Sequence, residues 1–382
     1  MKSKKLLFLL CILVLILSAP VSFADDWYGQ YGSYFKVYDV KSSKLLFETA
    51  REVTKGDQYL SEDNKLYNIV RINTSNKLAY AEFIKEVELP EIDEVAMNEF
   101  ITALRNNEGI AALLAQEGNR KVGIYSTHSS ESYVPTDGTE SIEGNGGIFK
   151  VANRIAEGFK KNGVEARFDN TSHDPHDAGA YKRSRRTALQ LLRSEQPQAL
   201  IDVHRDATPA KAYLTEINGE PAAKVRLVVG RRNQNFKANE ETAWKVKAVA
   251  DKMYPGLIKD IFYAKGDYNQ DLTPRAMLLE MGTYEHSRQR AEKSAGFISE
   301  VITTSLYGGT FKDKTDGETE KVAPQEKSNK GSGAGIAGIL AVIGGGGLAF
   351  LFLSSGGKEW KSKVSNFKQE FNNFLGRTRK KK

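Results

Sequence analysis

Three polar residues each follow a short apolar run with the pattern of a buried strand: His128, His204 and Glu280. The runs are Val-Gly-Ile-Tyr-Ser-Thr, Ala-Leu-Ile-Asp-Val and Ala-Met-Leu-Leu, respectively. In α/β proteins, functional side chains collect where the strands of the sheet end. A single histidine at such a position is more often a hydrogen-bonded structural residue, but three polar residues in one region favour a common site.

These residue types suit a hydrolytic zinc site. Such a site needs three protein ligands drawn from histidine and carboxylate, an open position for water, and a carboxylate that takes and returns a proton. His128 and His204 supply two ligands, and the third should be a carboxylate. The candidates are Glu131, three residues after the first histidine, and Glu143, just before a helical pattern. Glu280 is then the expected general base.

Five ordered motifs between residues 121 and 306 resemble the stage II sporulation protein P family. They are Thr-His-x-x-Glu at 127–131, Ser-His-Asp at 172–174, Tyr-Lys-Arg-Ser-Arg at 181–185, Ile-Asp-Val-His-Arg-Asp at 201–206 and Tyr-Asn-Gln-Asp-Leu-Thr-Pro-Arg-Ala at 268–276. That family is similar to the wider zinc amidases of cell-wall turnover. The resemblance implies an N-acetylmuramoyl-L-alanine amidase, with Zn²⁺ as cofactor and peptidoglycan as substrate.

The resemblance also assigns roles to individual residues. In the wider zinc amidases, a strand-end histidine, a glutamate that opens the first helix, a second histidine and a late strand-end glutamate form the site. The matching positions here are His128, Glu143, His204 and Glu280, which makes Glu143 the preferred third ligand and Glu280 the catalytic base. Glu131 belongs to the sporulation-type motif and is the alternative, either as a ligand or as a residue that orients His128.

Other polar residues near these motifs have simpler interpretations. His173 and His176 are three positions apart, but Pro175 between them disfavours a shared helix face, so a structural or substrate-facing loop is favoured. The pair Gly146 and Gly147 after Glu143 would soften the start of the helix at 148–162, which departs from the wider amidase pattern.

The spacing of apolar residues predicts the elements that position these side chains. Residues 25–91 alternate in short bursts between turns, which predicts a small antiparallel β module with a binding, spacer or folding role. Residues 92–119 have the spacing of a connecting helix. From 120 to 307, strand and helix patterns alternate. This predicts a zinc amidase-like α/β catalytic domain, built on a mixed sheet with helices on both faces.

The two ends of the chain predict export and membrane attachment. Residues 1–24 combine a basic start, a short apolar run and small residues at the end, the pattern of a secretory signal peptide. Residues 308–334 form a polar, disordered linker, and 335–355 are an uncharged run long enough for one transmembrane helix. The basic amphipathic tail at 356–382 should stay in the cytoplasm. We expect a single-pass protein of the cell membrane with its catalytic domain outside.

Charge and cysteine content exclude other classes of protein. Much of the net charge of +7 lies in the tail, so it does not indicate binding of nucleic acid. The lone cysteine, Cys11, lies in the signal peptide, which excludes disulfides and thiolate metal sites from the mature chain. The resemblance implies septal wall remodelling during engulfment, beside stage II sporulation proteins D and M, with peptide cross-links as a second cleavage target. The alternatives are a catalytically silent wall-binding or tethering module and a division-associated hydrolase.

Overall fold

The computed structural model describes residues 33–106, 120–177, 179–308 and 310–312. Within these ranges, the strands are β1 (Phe35–Asp39), β2 (Leu45–Thr49), β3 (Gln58–Leu60), β4 (Lys65–Asn73), β5 (Leu78–Glu86), β6 (Lys121–Tyr125), β7 (Glu165–Phe168), β8 (Ala199–Asp206), β9 (Leu214–Ile217), β10 (Glu220–Ala223), β11 (Val225–Gly230), β12 (Ile258–Ala264) and β13 (Ala276–Thr283). The α-helices are α1 (Glu94–Asn106), α2 (Val134–Asp137), α3 (Ile148–Lys161), α4 (Ala180–Ser194), α5 (Phe236–Met253) and α6 (Arg288–Tyr307).

Eleven of the described strands form one mixed sheet, in the order β2-β1-β5-β4-β3-β12-β11-β13-β8-β6-β7. Strands β13, β8, β6 and β7 run parallel, and β11 joins β13 in the antiparallel direction. The N-terminal strands extend the same sheet, because β3 pairs antiparallel with β12. Within the N-terminal module, β1 pairs parallel with β5, which departs from the predicted all-antiparallel pattern. The predicted mixed α/β fold is confirmed.

Side chains alternate between the two faces of the sheet and meet helices on each. Ile201 and Val203 of β8 belong to the largest apolar cluster, which also contains buried residues of α3, α5 and α6. Leu200, the residue before Ile201, packs instead with Ala188 and Leu191 of α4. Since successive residues of a strand point to opposite faces, α4 covers one face of the sheet, and α3, α5 and α6 cover the opposite face.

The sequence pattern does not predict β12, although every residue of this strand is buried. Its second and third residues, Lys259 and Asp260, are charged and resemble a polar break in an apolar run. In the fold they neutralise each other, and Arg226 Nε donates a hydrogen bond to Asp260 Oδ1 at 2.6 Å. Buried charges are tolerated when they are paired and hydrogen-bonded, a condition that depends on a distant strand.

In the part of the chain that the structure describes, no helix is long and apolar enough to cross a membrane. The predicted signal peptide at 1–24, the transmembrane helix at 335–355 and the tail at 356–382 lie outside the described residues. The same holds for residues 107–119 of the connecting helix and for the linker beyond residue 312.

Candidate metal centre

His128, His204 and Glu280 are carried by three adjacent strands. His204 on β8 and Glu280 on β13 are direct partners in the parallel pairing of these strands, so their side chains share one face of the sheet. His128 follows β6, the other neighbour of β8, and its ring centroid lies 4.7 Å from that of His204. All three side chains are buried. The structure therefore brings together the three residues that the sequence predicts to share a common site.

Glu131 lies between the two histidines. Its Oε1 atom is 3.1 Å from His128 Nδ1 and 3.6 Å from His204 Nδ1. Its other oxygen, Oε2, accepts a hydrogen bond from the backbone N–H of Arg205 at 2.8 Å. One carboxylate oxygen thus lies close to an imidazole nitrogen of each histidine, in a buried space. These are donor types that zinc prefers, so the residues fit a bound zinc ion.

Glu143, the other candidate ligand, is exposed in the turn before α3 and is not part of this buried group. The glycines that follow it have a packing role. A Cβ atom on Gly146 would clash with the backbone of the loop that carries Glu131, and Ile148 N donates a hydrogen bond to Glu131 O at 3.0 Å. The Gly146–Gly147 pair therefore allows the start of α3 to hold the Glu131 loop in place.

Asp202 ties the two histidine-bearing segments together. It accepts hydrogen bonds from Thr127, through the backbone N–H at 2.8 Å and through Oγ1 at 2.6 Å. Its Oδ1 atom also lies 3.0 Å from His204 Nε2. A carboxylate beside one ring nitrogen orients the imidazole and makes the other nitrogen a better metal ligand. In His204, that other nitrogen is Nδ1, the atom directed towards Glu131.

The two histidines have pKa values shifted in opposite directions. Burial lowers the pKa of His128 to about 4, although the hydrogen bond with Glu131 opposes this shift. Burial also acts to lower the pKa of His204, but the carboxylates of Asp202 and Glu131 outweigh it and raise the pKa to about 10. His128 is therefore neutral at neutral pH, the form in which imidazole binds a metal. A metal that binds His204 has to displace a proton.

Two further histidines lie in the loop after β7. Both ring nitrogens of His173 lie 2.8 Å from protein oxygen atoms, as the structural interpretation requires. The ring of His176 stacks on that of His128 with 3.9 Å between centroids. Within the described residues, donor atoms of His128, Glu131 and His176 all lie within 4.8 Å of one another, and His204 is not part of that group. Spacing along the chain did not indicate this proximity, because it arises when the loop folds back over His128.

Glu280 contacts a residue of the N-terminal module. Arg51, two residues after β2, donates a hydrogen bond from Nε to Glu280 Oε1 at 2.6 Å, and both side chains are buried. In the described part of the chain, Glu280 Oε2 has no hydrogen-bond partner. Burial raises the pKa of Glu280, although the charge of Arg51 opposes this. No motif in the sequence identifies Arg51, which lies 229 positions from its partner.

These observations define a mixed α/β protein with a buried cluster of histidine and glutamate side chains of metal-binding type. The chain belongs to the stage II sporulation protein P family, whose sequence profile matches residues 30–303 and confirms the resemblance seen in the motifs. It is similar to stage II sporulation protein P of Bacillus subtilis (strain 168), with 30% identity over 223 residues. That match covers 53% of this chain and 56% of the relative, so the chain spans about half the relative's length.

Among solved structures, the chain is similar to the crystal structure of N-acetylmuramoyl-L-alanine amidase from Clostridium difficile 630. The sequence identity is 16%, and the match covers 50% of this chain and 96% of that chain. The TM-score of 0.32 is too low to support a shared fold.

Proposed function

We propose that this protein is a zinc-dependent peptidoglycan hydrolase that cleaves the amide bond between N-acetylmuramic acid and L-alanine. The observation that carries the proposal is that Glu131 Oε1 lies 3.1 Å from His128 Nδ1 and 3.6 Å from His204 Nδ1, with Glu280 beside His204 on the neighbouring strand. Membership of the stage II sporulation protein P family supports a role in sporulation, because the Bacillus subtilis relative is named for that process.

In this proposal, Glu131 rather than Glu143 is the third metal ligand. Glu131 is buried with an oxygen atom directed at both histidines, whereas Glu143 is exposed. His176 groups with His128 and Glu131, but a catalytic zinc site has three protein ligands and an open position for water. We place His204 in the ligand set because Asp202 holds its Nε2 and its Nδ1 is directed at Glu131. We therefore assign His176 to the substrate-facing side of the site.

A zinc ion held by His128, His204 and Glu131 would supply Lewis-acid chemistry and a water nucleophile at neutral pH. Glu280 would act as general base through Oε2, the oxygen that Arg51 leaves available. Burial raises the pKa of Glu280, which favours return of the proton that it takes from water. The proton taken from water then passes to the departing amine, and the glycan and peptide separate.

The test is digestion of purified peptidoglycan by the full-length protein, with metal analysis of the same sample. We expect about one zinc per chain, loss of hydrolysis after chelation and recovery on addition of zinc. Mass analysis should find glycan with a free lactyl carboxyl group and peptide with a free L-alanine amine. If the products are disaccharide-peptides that are cut only at their cross-links, the protein is an endopeptidase and not an amidase. Wall binding without release of products would favour a silent tethering module.

We also propose that the protein is exported and held in the membrane by residues 335–355, with its tail in the cytoplasm. Support comes from the uncharged run and the basic residues behind it. A reporter fused after Lys382 should be active only inside the cell, and one inserted near Lys321 only outside. The opposite pattern would reverse the topology. From the family resemblance, we further propose stage II sporulation proteins D and M as partners at the septal wall.

A further inference from the structure

The loop after β2 belongs to the N-terminal module, yet its residue Arg51 forms a buried ion pair with Glu280, the proposed general base. We propose that Arg51 is a positioning residue, which holds Oε1 of Glu280 so that Oε2 is presented to the reacting water. By this contact, the N-terminal module completes the active site and is more than a spacer. The inference rests on the proposed function, since it concerns the base of that reaction.

The loop that carries Arg51 is held in place by Asp206 of β8. The backbone N–H of its neighbour Ala50 donates a hydrogen bond to Asp206 Oδ1 at 3.0 Å. Asp206 ends β8, two residues after His204, and its Oδ2 atom accepts hydrogen bonds from Tyr213 OH at 2.8 Å and from Arg226 Nη1 at 3.0 Å. The carboxylate that anchors the loop is therefore itself buried and fixed.

Aromatic rings also restrict the guanidinium group. Its central carbon lies 5.2 Å from the centroid of the Tyr268 ring, within the range of a cation–π interaction. Its Nη1 atom donates a hydrogen bond to Tyr181 OH at 3.4 Å. The Tyr181 ring in turn stacks with His204 at 6.2 Å between centroids. Arg51 is thus part of the same wall of side chains that surrounds the candidate ligand His204.

The pairing is one-sided in a way that suits a catalytic base. Arginine commonly binds a carboxylate through two parallel hydrogen bonds, which would satisfy both oxygens. Here only Oε1 of Glu280 is engaged, and within the described residues Oε2 is buried with no hydrogen-bond partner. Leaving a buried acceptor unsatisfied costs stability, and such exceptions are expected where an atom has a functional role. The arrangement selects Oε2 as the oxygen that exchanges a proton.

The experiment compares full-length Arg51→Met, Arg51→Lys, Glu280→Gln and the double variant Arg51→Met/Glu280→Gln. For each protein, kcat and KM on soluble peptidoglycan fragments, zinc content and thermal stability are measured. Arg51→Met should retain zinc and keep KM nearly unchanged, while kcat falls by on the order of 10²-fold, as a small misplacement of a reacting group can cause. Arg51→Lys keeps the charge without the rigid guanidinium fork and should fall between wild type and Arg51→Met.

The double variant separates positioning from direct contact with substrate. If Arg51 acts only through the Glu280 carboxylate, adding Arg51→Met to Glu280→Gln should lower kcat no further. An additional loss in the double variant would overturn the proposal in favour of substrate contact, and wild-type kcat in Arg51→Met would overturn it outright.

Loss of Arg51 alone leaves a buried, unpaired Glu280, so the single variant is expected to be less stable than wild type. Where Arg51→Met does not fold, Arg51→Lys decides: reduced kcat at wild-type zinc content supports the proposal, and unchanged kcat overturns it. A wild-type protein without hydrolytic activity would instead refute the proposed function, a result visible before any variant is compared.

Discussion

Glu131→Gln is expected to abolish zinc binding and peptidoglycan hydrolysis together, as are His128→Ala and His204→Ala. Each change removes one of three proposed ligands and with it most of the metal-binding free energy. In Glu131→Gln, the amide oxygen that takes the place of Oε1 carries no charge. It therefore neither offsets the charge of the zinc ion nor attracts the imidazole rings of His128 and His204. The measurements are zinc per chain and the rate of product release from purified peptidoglycan.

Glu143→Gln is the matched control for Glu131→Gln. Both variants exchange a carboxylate for an amide, but Glu143 is exposed in the turn before α3, so its substitution should leave zinc content and hydrolysis near wild type. Loss of zinc in Glu143→Gln with retention in Glu131→Gln would return the third-ligand role to Glu143. Full hydrolysis in either histidine variant would contradict the whole metal site.

Glu280→Gln should separate the base from the ligands. The variant should retain near-stoichiometric zinc, while kcat falls by roughly 10² to 10⁴, the usual contribution of a positioned proton-transfer group. The amide has nearly the shape of the carboxylate but cannot take a proton from water. Zinc content and initial rate are measured on the same preparation.

Two results would change the assignment of Glu280. A metal-free Glu280→Gln protein would make Glu280 a ligand rather than the base, and an unchanged rate would remove it from the reaction. Because the substitution leaves Arg51 as a buried charge without its partner, thermal stability has to be measured in parallel.

The sequence predicted that three polar side chains would lie close together, because apolar runs identify buried strands and polar residues after such runs are unusual. The structure places His128, His204 and Glu280 together, and their roles in metal binding and catalysis stay predictions. The predicted strands were too short, however, since β8 continues to Asp206 and β13 to Thr283. Polar residues continue these strands because they pair with residues of neighbouring strands. A single sequence does not show which strands are neighbours.

The choice between Glu131 and Glu143 depends on burial rather than spacing. Both glutamates suit a motif: Glu131 follows the first histidine closely, and Glu143 precedes α3. Only the folded chain shows that the glycine pair after Glu143 packs against the Glu131 loop and that Glu131 faces both histidines. The proposed role of Arg51 could not be predicted from the sequence, because it depends on a contact between segments that are distant along the chain.

The shared sheet has a consequence for how this chain can be divided. The inner edge of the N-terminal module is β3, whose residues Gln58–Leu60 cover one side of β12. Removing everything before residue 120 would leave the fully buried β12 as an outer strand, with a row of unpaired amide and carbonyl groups beside apolar side chains. Exposed edges of this kind invite pairing between molecules and aggregation. The minimal soluble unit should therefore begin before β1, however far from the chemistry those first strands appear along the chain.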